Sequence, residues 1–589
     1  MDSLSEQTTV AQSDDSILNP PESNESKVEA SDDVIRKTES GIDDVSEANV
    51  ASDRNAFSSE NFKICIHNIP RYADSKALKK LMKRLELDIR KAYVVSDHAY
   101  VCFGDEQSVT QALTVLKNYT WKKNVLRVKR ATPSVDPVVA ASSKKSKSTK
   151  PKSEEEAVSE KEESDQPPEQ RLLNAVTPLH QMGYADQLSL KDKDSEKLLK
   201  EISRSITTVA GGDQSRLPTC GYFGELKPSL ASPVINGYRN KCEFSIGFDG
   251  QRRPTVGFRL TRYKAGSAEI VSPDNCPHVP DMTKKIVAAL QQFVMESPLA
   301  PYDVTTRVGF WTMLTVRQFL MDTMVIVTAY HRRDTGTISQ DQVDAAKKNL
   351  TKLFSCGQDG YRVTSLYFQT LEHTSDKAAY EHLWGVPYVY ENLLGLRFRI
   401  SPGAFFQVNT PACEVLYTSI AQTCRVDSET LVLDLCCGTG TIGIVLAAKA
   451  GKVIGIELCA EAVDDASINA SNNERTNCEF ICGKVENVID EMRRRSSGQL
   501  AEYKRIVGVL DPPRSGLPGK VLSSIRLFQA LQTVVYVSCD PKAASKNFLD
   551  LTRRTSNRYP GAPFQLKSVQ PVDMFPHTRH CEWILVFER

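Results

Sequence analysis

The sequence predicts an α/β protein whose C-terminal part is a doubly wound, Rossmann-like nucleotide-binding domain, preceded by a mixed β-rich region and a small α/β domain near the N-terminus. Three observations predict it. A glycine turn joins an apolar strand to a helix, and the next strand ends on an acid, all within about 25 residues after Leu431. A βαββαβ pattern fills residues 62–130. The chain, at 589 residues, is too long for one core.

Charge is segregated along the chain. Lys+Arg 74 nearly cancels Asp+Glu 73, yet residues 1–61 carry a net −11, residues 62–132 a net +9 and the remainder +3. A basic segment of this kind is the electrostatic footprint expected for a polyanion. The fifteen cysteines include no C-x-x-C pair and lie in apolar or strand-like stretches. Neither a zinc ribbon nor a disulfide framework is indicated, no metal is expected, and a reducing compartment fits. The start, MDSLSEQTTVAQSDD, has no apolar signal core, and no run of eighteen apolar residues occurs. The expectation is a cytoplasmic or nuclear protein, or both, with no membrane partner.

Residues 1–61 are rich in Ser, Asp, Glu and Asn and are expected to be disordered. In the 62–132 domain, FKICIHNI (62–69) reads as a strand, 74–87 as a helix, AYVVSDHAYVCF (92–103) as two strands, 106–118 as a helix and NVLRVKR (124–130) as the last strand. This ferredoxin-like order resembles an RNA-recognition motif. Cys65 stands where the first motif of that family usually has an aromatic; His98, Tyr100 and Phe103 fall at the aromatic places of the second, whose leading Lys/Arg-Gly is absent. An RNA binder relying on Lys and Arg and a module for protein contacts both remain open; the net +9 favours RNA.

A charged linker follows at 133–170, with SSKKSKSTKPK before SEEEAVSEKEESDQPPEQ. Lys144 to Lys152 reads either as a nuclear-import signal or as a flexible basic stretch. The central region, 171–400, opens with a polar helix pattern at 184–205 and continues into strands such as 240–248 and 324–330. GYRNKCEF and VGFRLTRYKAG alternate basic, aromatic and apolar residues, which on strands aligns Arg239 and Lys241 on one face. Such a face suits single-stranded nucleic acid, or is simply solvated.

From residue 401 to 589 the alternation of short apolar strands and helices begins. LDLCCGTGTIG (433–443) has a short G-T-G turn in place of G-x-G-x-x-G, so no pyrophosphate is implied. It resembles the first motif of S-adenosylmethionine-dependent methyltransferases, whose glycines admit the cofactor close to the backbone. Glu457, 23 residues after Asp434, stands where a carboxylate accepts ribose hydroxyls. RIVGVLDPPRSGL (505–517) ends a strand on Asp511-Pro-Pro-Arg514; with arginine where base N-methylation motifs carry an aromatic, amine methylation is disfavoured.

VVYVSCDP (534–541) is the next strand, and Cys539 lies at its carboxyl end with Asp511 on the same crevice. Buried hydrophobe is the commoner role of a thiol, but Ser, Asp and Pro around Cys539 mark a strand end. A thiol there is placed to attack. Addition to C6 of uracil makes C5 nucleophilic enough to take a methyl group, after which a base must remove the C5 proton. Glu582, at the start of the last strand, is the candidate base and His580 the second.

Taken together, FFQVNTP (405–411), LDLCCGTGTIG, VIGIE (453–457), LDPPRSGL, VYVSCDP and HCE resemble the RNA uracil-5 methyltransferases. The resemblance implies Cys539 as nucleophile, Glu582 as proton acceptor, and Gln407, Cys436, Thr441, Glu457 and Asp511 around S-adenosylmethionine, with Gln407 and Asp511 also candidates to touch a flipped uracil. It implies tRNA as partner and its T-loop uridine as substrate. RNA cytosine-C5 methylation shares the thiol addition, but the second cysteine of that chemistry is missing from LDPPRS. A non-catalytic RNA-binding or chaperone-like protein on a retired fold is the third reading, against which the intact Cys539, Glu582 and glycine loop argue.

Overall fold

The computed structural model describes residues 62–131 and 166–589, apart from 71–72, 90, 96–97, 104, 123, 212–216, 261–268, 304–305, 307, 332–337, 358–359, 373–378 and 496–501. The tail and most of the linker expected from the sequence lie outside the described residues, as does the 261–266 part of the basic stretch. The chain divides into two compact units, Met1–Ser143 and Lys144–Arg589.

In the first unit, four antiparallel strands run in the order Lys91–Val95, His98–Cys102, Lys63–His67, Arg127–Arg130. Helices Ser75–Arg84 and Glu106–Leu116 are capped by Asp74 and Asp105, whose carboxylates accept the N–H of Ala77 and Ser108. They bury Leu78, Leu81, Met82, Val109, Ala112 and Leu116 against Ile64, Ile66, Val101 and Phe103. One sequence expectation is corrected here. The last predicted strand is split: Asn124–Val125 pairs back with Thr120–Trp121, and only Arg127–Arg130 joins the sheet. Phe103 is wholly buried in this core, because alternation puts it on the face of Ala99 and Val101, opposite His98 and Tyr100.

The second unit holds two large sheets. A seven-stranded one, Ile270–Val271, Pro254–Arg259, Lys241–Phe248, Trp311–Gln318, Thr323–Tyr330, Ser365–Leu371, Glu381–Gly385, packs helices Asp281–Glu296 and Gln340–Ser355 over its core. Lys241 is ion-paired with Glu243 at 2.8 Å, which offsets part of the basic face.

The other sheet carries the crevice. Its order is Cys478–Cys482, Lys452–Glu457, Thr430–Leu435, Arg505–Leu510, Leu531–Ser538, Glu582–Glu588, Gln565–Val572, Glu225–Leu226. The first five strands are parallel, and all but the edge strand Cys478–Cys482 are buried on both faces, hence their near-continuous Val, Ile and Leu. Glu582–Glu588 inserts antiparallel between Leu531–Ser538 and Gln565–Val572. This is the doubly wound α/β fold of the sequence reading, with one antiparallel strand. Helix Tyr184–Val209 buries Leu199, Ile202 and Ile206 in the same core. No helix among the described residues is long and apolar enough to cross a membrane.

Candidate active site

The strand Thr430–Leu435 ends in a turn that L-residues resist: Cys436 has φ 67°, Gly438 55° and Gly440 78°. A Cβ on Gly440 would stand 2.9 Å from the Phe480 ring, whereas one on Gly438 would meet nothing within 4 Å. The backbone is therefore packed on one side and open on the other. Asp434, fully buried, accepts the Gly443 N–H at 2.8 Å through Oδ2, and its Oδ1 has no partner. Burial pushes its carboxyl up to about 7, with the charges of Asp511 and Glu457 adding. Thr441 Oγ1 lies 2.9 Å from the hydroxyl of buried Tyr417.

Glu457 ends the neighbouring strand. Its Oε1 accepts the N–H groups of Leu458 (2.7 Å) and Cys459 (3.0 Å), and Oε2 that of Gly438 (3.2 Å). One carboxylate thus ties the strand end to the glycine turn, with lone pairs left for a further donor. Gln407 is nearly buried on the loop entering helix Thr410–Cys424; the Asn240 amide donates to its carbonyl at 2.9 Å, and Arg317 donates to the carbonyl of Ala404.

Asp511 follows the strand Arg505–Leu510, its carboxyl pushed up to about 7 by burial. The turn after it is pinned by Asn547, whose Oδ1 accepts from the Leu517 N–H (2.6 Å) and the Tyr536 hydroxyl (2.8 Å) while its Nδ2 donates to the Leu517 carbonyl (3.0 Å). Gly516, at φ 75°, is required there because a Cβ would lie 2.5 Å from Asn547 Oδ1.

Cys539 follows the strand Leu531–Ser538 directly. The strand stops there because Asp540 caps the helix Pro541–Thr552, accepting the Ala543 N–H at 3.0 Å, and Pro541 occupies the first helical turn. Ser538 pairs with Trp583 and Val572 with Glu582, so the antiparallel register sets Glu582 across from Cys539. Glu582 is 2% exposed. Burial pushes the Cys539 thiol up to about 11, reinforced by the charges of Glu582 and Asp511; Arg514 pulls it down by charge and by a hydrogen bond. Burial, then Asp511, hold the Glu582 carboxyl well above the usual range, again against Arg514. His580, the alternative base, is exposed, its ring 6.4 Å from Phe575.

The structure thus clusters Cys539, Glu582, Asp511 and Arg514, and places Asp434, Cys436 and Glu457 together around the glycine turn. Arg514 was read from the sequence only as the absence of an aromatic; the position in the D-P-P-R turn was its one signal. Tyr417 and Asn240 carried no signal, being single polar residues in otherwise ordinary patterns.

A family model described as tRNA (Uracil-5-)-methyltransferase matches residues 389–589. The tRNA (uracil-5-)-methyltransferase homolog A of Homo sapiens is 37% identical over 553 residues, covering 90% of this chain and 83% of that protein. The chain belongs to the tRNA (uracil-5-)-methyltransferase family. The human homolog B is 37% identical over 444 residues, 72% of this chain and 84% of that protein. A crystal structure of Pyrococcus abyssi tRNA (uracil-54, C5)-methyltransferase in complex with S-adenosyl-L-homocysteine is similar at 20% identity and TM-score 0.46, covering 69% of this chain and 83% of that one.

A tRNA (uracil-5-)-methyltransferase is an enzyme whose methyl donor is S-adenosylmethionine, and the crevice fits that group. The open side of Gly438, the unpartnered Asp434 Oδ1 and the strand-end Glu457 are what an amino-acid and ribose ligand requires of a glycine turn. Among the described residues, no group of three or more His, Cys, Asp or Glu is arranged to hold a metal ion.

Proposed function

We propose that this enzyme methylates C5 of the T-loop uridine of tRNA through a transient bond between Cys539 Sγ and uracil C6. The observation that carries the reading is the register that sets Glu582 across from Cys539. A nucleophile and a proton acceptor at the facing ends of two adjacent strands are what C5 substitution needs.

When bound, S-adenosylmethionine supplies an electrophilic methyl group, and Glu457, Cys436, Thr441, Asp511 and Gln407 are the residues proposed to hold it. The thiol of Cys539 gives its proton to water, its sulfur adds to C6, and the ring electrons move to C5 and O4. Arg514 favours the thiolate, whereas Glu582 and Asp511 oppose it when both are ionised. A proton held by this carboxylate pair therefore helps the first step. Once C5 has gained its methyl group, the Glu582 carboxylate takes the C5 proton, the C5=C6 bond re-forms and the thiolate leaves. A carboxylate with a raised pKa is the stronger proton acceptor.

RNA docking falls in part to the basic 62–131 unit, whose helix-free sheet face aligns Tyr100, the buried Cys65 and Lys129 in one cross-strand row and His98, His67 and Arg127 in the next. The target base must leave its stack to reach the thiol, at a cost of about a few kcal/mol. Mapping methyl groups on unmodified tRNA after exposure to the purified protein tests the reading: 5-methyluridine in the T loop, lost with Cys539→Ala, is expected. A methyl group on cytosine or outside the T loop contradicts it.

A further inference from the structure

The segment between Val572 and Glu582 is gripped by a helix from the far N-terminal side of this unit. Asp573 and Lys191 are both fully buried, with Lys191 Nζ 2.5 Å from Asp573 Oδ1 and 3.1 Å from the carbonyl of Phe575. Asp573 Oδ1 also accepts the Phe575 N–H at 3.0 Å, and Oδ2 accepts the Tyr184 hydroxyl at 3.1 Å. That hydroxyl in turn accepts the Ser232 N–H at 2.7 Å. One helical turn before Lys191, Gln187 Oε1 accepts the His577 N–H at 2.8 Å, and the Leu179 N–H donates to the His577 carbonyl at 2.9 Å. The Asn409 amide donates to the Met574 carbonyl at 3.1 Å, and Tyr238 to that of Pro576 at 3.2 Å.

A buried ion pair is a poor stability device, since desolvation consumes most of the attraction and apolar replacements often do as well. It is a good locating device. Three donors converge on one carboxylate, and Asp573 is bonded to Val572, which pairs with Glu582. Cys539 shares the Ser538–Trp583 strand pairing with Glu582 but has a further anchor of its own in the Asp540 cap of the next helix. A shift of the 573–577 segment therefore bears on Glu582 more than on the thiol.

We infer that the Lys191–Asp573 pair, with Tyr184, is a positioning device for Glu582, so that helix Tyr184–Val209 acts on proton removal from C5 and not on thiol addition. This rests on the proposed covalent route. A misplacement of the base by about 1 Å is expected to slow its step by about 10- to 100-fold.

The test uses the full chain and ordinary, non-fluorinated tRNA, reading kcat, the KM for tRNA and the fraction of enzyme recovered as a denaturation-resistant RNA complex. Lys191→Met/Asp573→Asn removes both charges together, and Tyr184→Phe removes one hydroxyl at constant shape. Both variants should lower kcat, by about tenfold or more for the double change, lower KM along with it so that kcat/KM stays within about twofold, and raise the covalent fraction. Should the double variant fail to fold, Tyr184→Phe decides alone. A folded variant with unchanged kcat, or with kcat lowered and no gain in covalent complex, overturns the inference. Glu582→Gln is the control: if it accumulates complex and Tyr184→Phe does not, the positioning role alone falls. If Glu582→Gln does not accumulate it either, the covalent route falls and the inference with it.

Discussion

Glu582 faces Cys539 across an antiparallel strand pair, one residue beyond the Ser538–Trp583 partnership, and both feel the charge of Arg514. From this relationship the consequences can be drawn in turn.

Glu582→Gln keeps the shape of the side chain and removes its ability to take a proton. Turnover should fall by about 10²- to 10⁴-fold, while adduct formation continues. Gel analysis of quenched reactions should show RNA-bound protein accumulating.

The pH dependence follows from the thiol. The reactive form of Cys539 is deprotonated and its pKa is pushed up to about 11, so the thiolate fraction grows with each pH step below that value. The raised Glu582 carboxyl also reaches its acceptor form only as pH rises; its ionisation, with that of Asp511, slows the growth of the thiolate fraction without reversing it, so the net sign is a rise with pH. Single-turnover rates should climb from pH 6 to 9 without a plateau. Arg514→Ala removes the charge that favours the thiolate and should shift that climb to still higher pH.

At the glycine turn, Glu457→Ala removes acceptors for three backbone N–H groups together with the proposed ribose contact. Titration with S-adenosylhomocysteine should show affinity reduced by about tenfold or more, with tRNA binding little changed.

Asn547→Ala should leave the Leu517 N–H and the Tyr536 hydroxyl without their shared acceptor in a buried place. Denaturant unfolding should register a loss of about 1–3 kcal/mol. The D-P-P-R turn, and with it methylation, should suffer alongside.

Removal of residues 1–132 takes away a net −2 overall but the whole +9 of the basic unit. Binding to tRNA should weaken and its dependence on salt should flatten, while the methylation chemistry persists. Binding unchanged in both respects would assign the 62–131 unit to protein contacts.

Much of the crevice was legible because its residues stand where strands end, and strand ends are marked locally. Gly438 and Gly440 are needed for positive φ, Asp540-Pro541 stops the strand on Cys539, and Glu582 opens the last apolar run. Phe103 lies in the core, on the face that alternation from Tyr100 assigns it. Lys191 and Gln187 were read as part of a polar helix, and four-residue spacing alone does not distinguish a solvated face from one buried on Asp573 and His577. Their partners lie almost four hundred positions along the chain, beyond any local pattern.

The central claim is the bond from sulfur to C6, and 5-fluorouridine-substituted tRNA probes it most directly, since fluorine at C5 leaves no proton for Glu582 to remove. The account predicts a denaturation-resistant complex whose digestion yields a nucleotide on the peptide containing Cys539, absent from Cys539→Ala. A fully active Cys539→Ala enzyme, or a nucleotide attached to another residue, would contradict it.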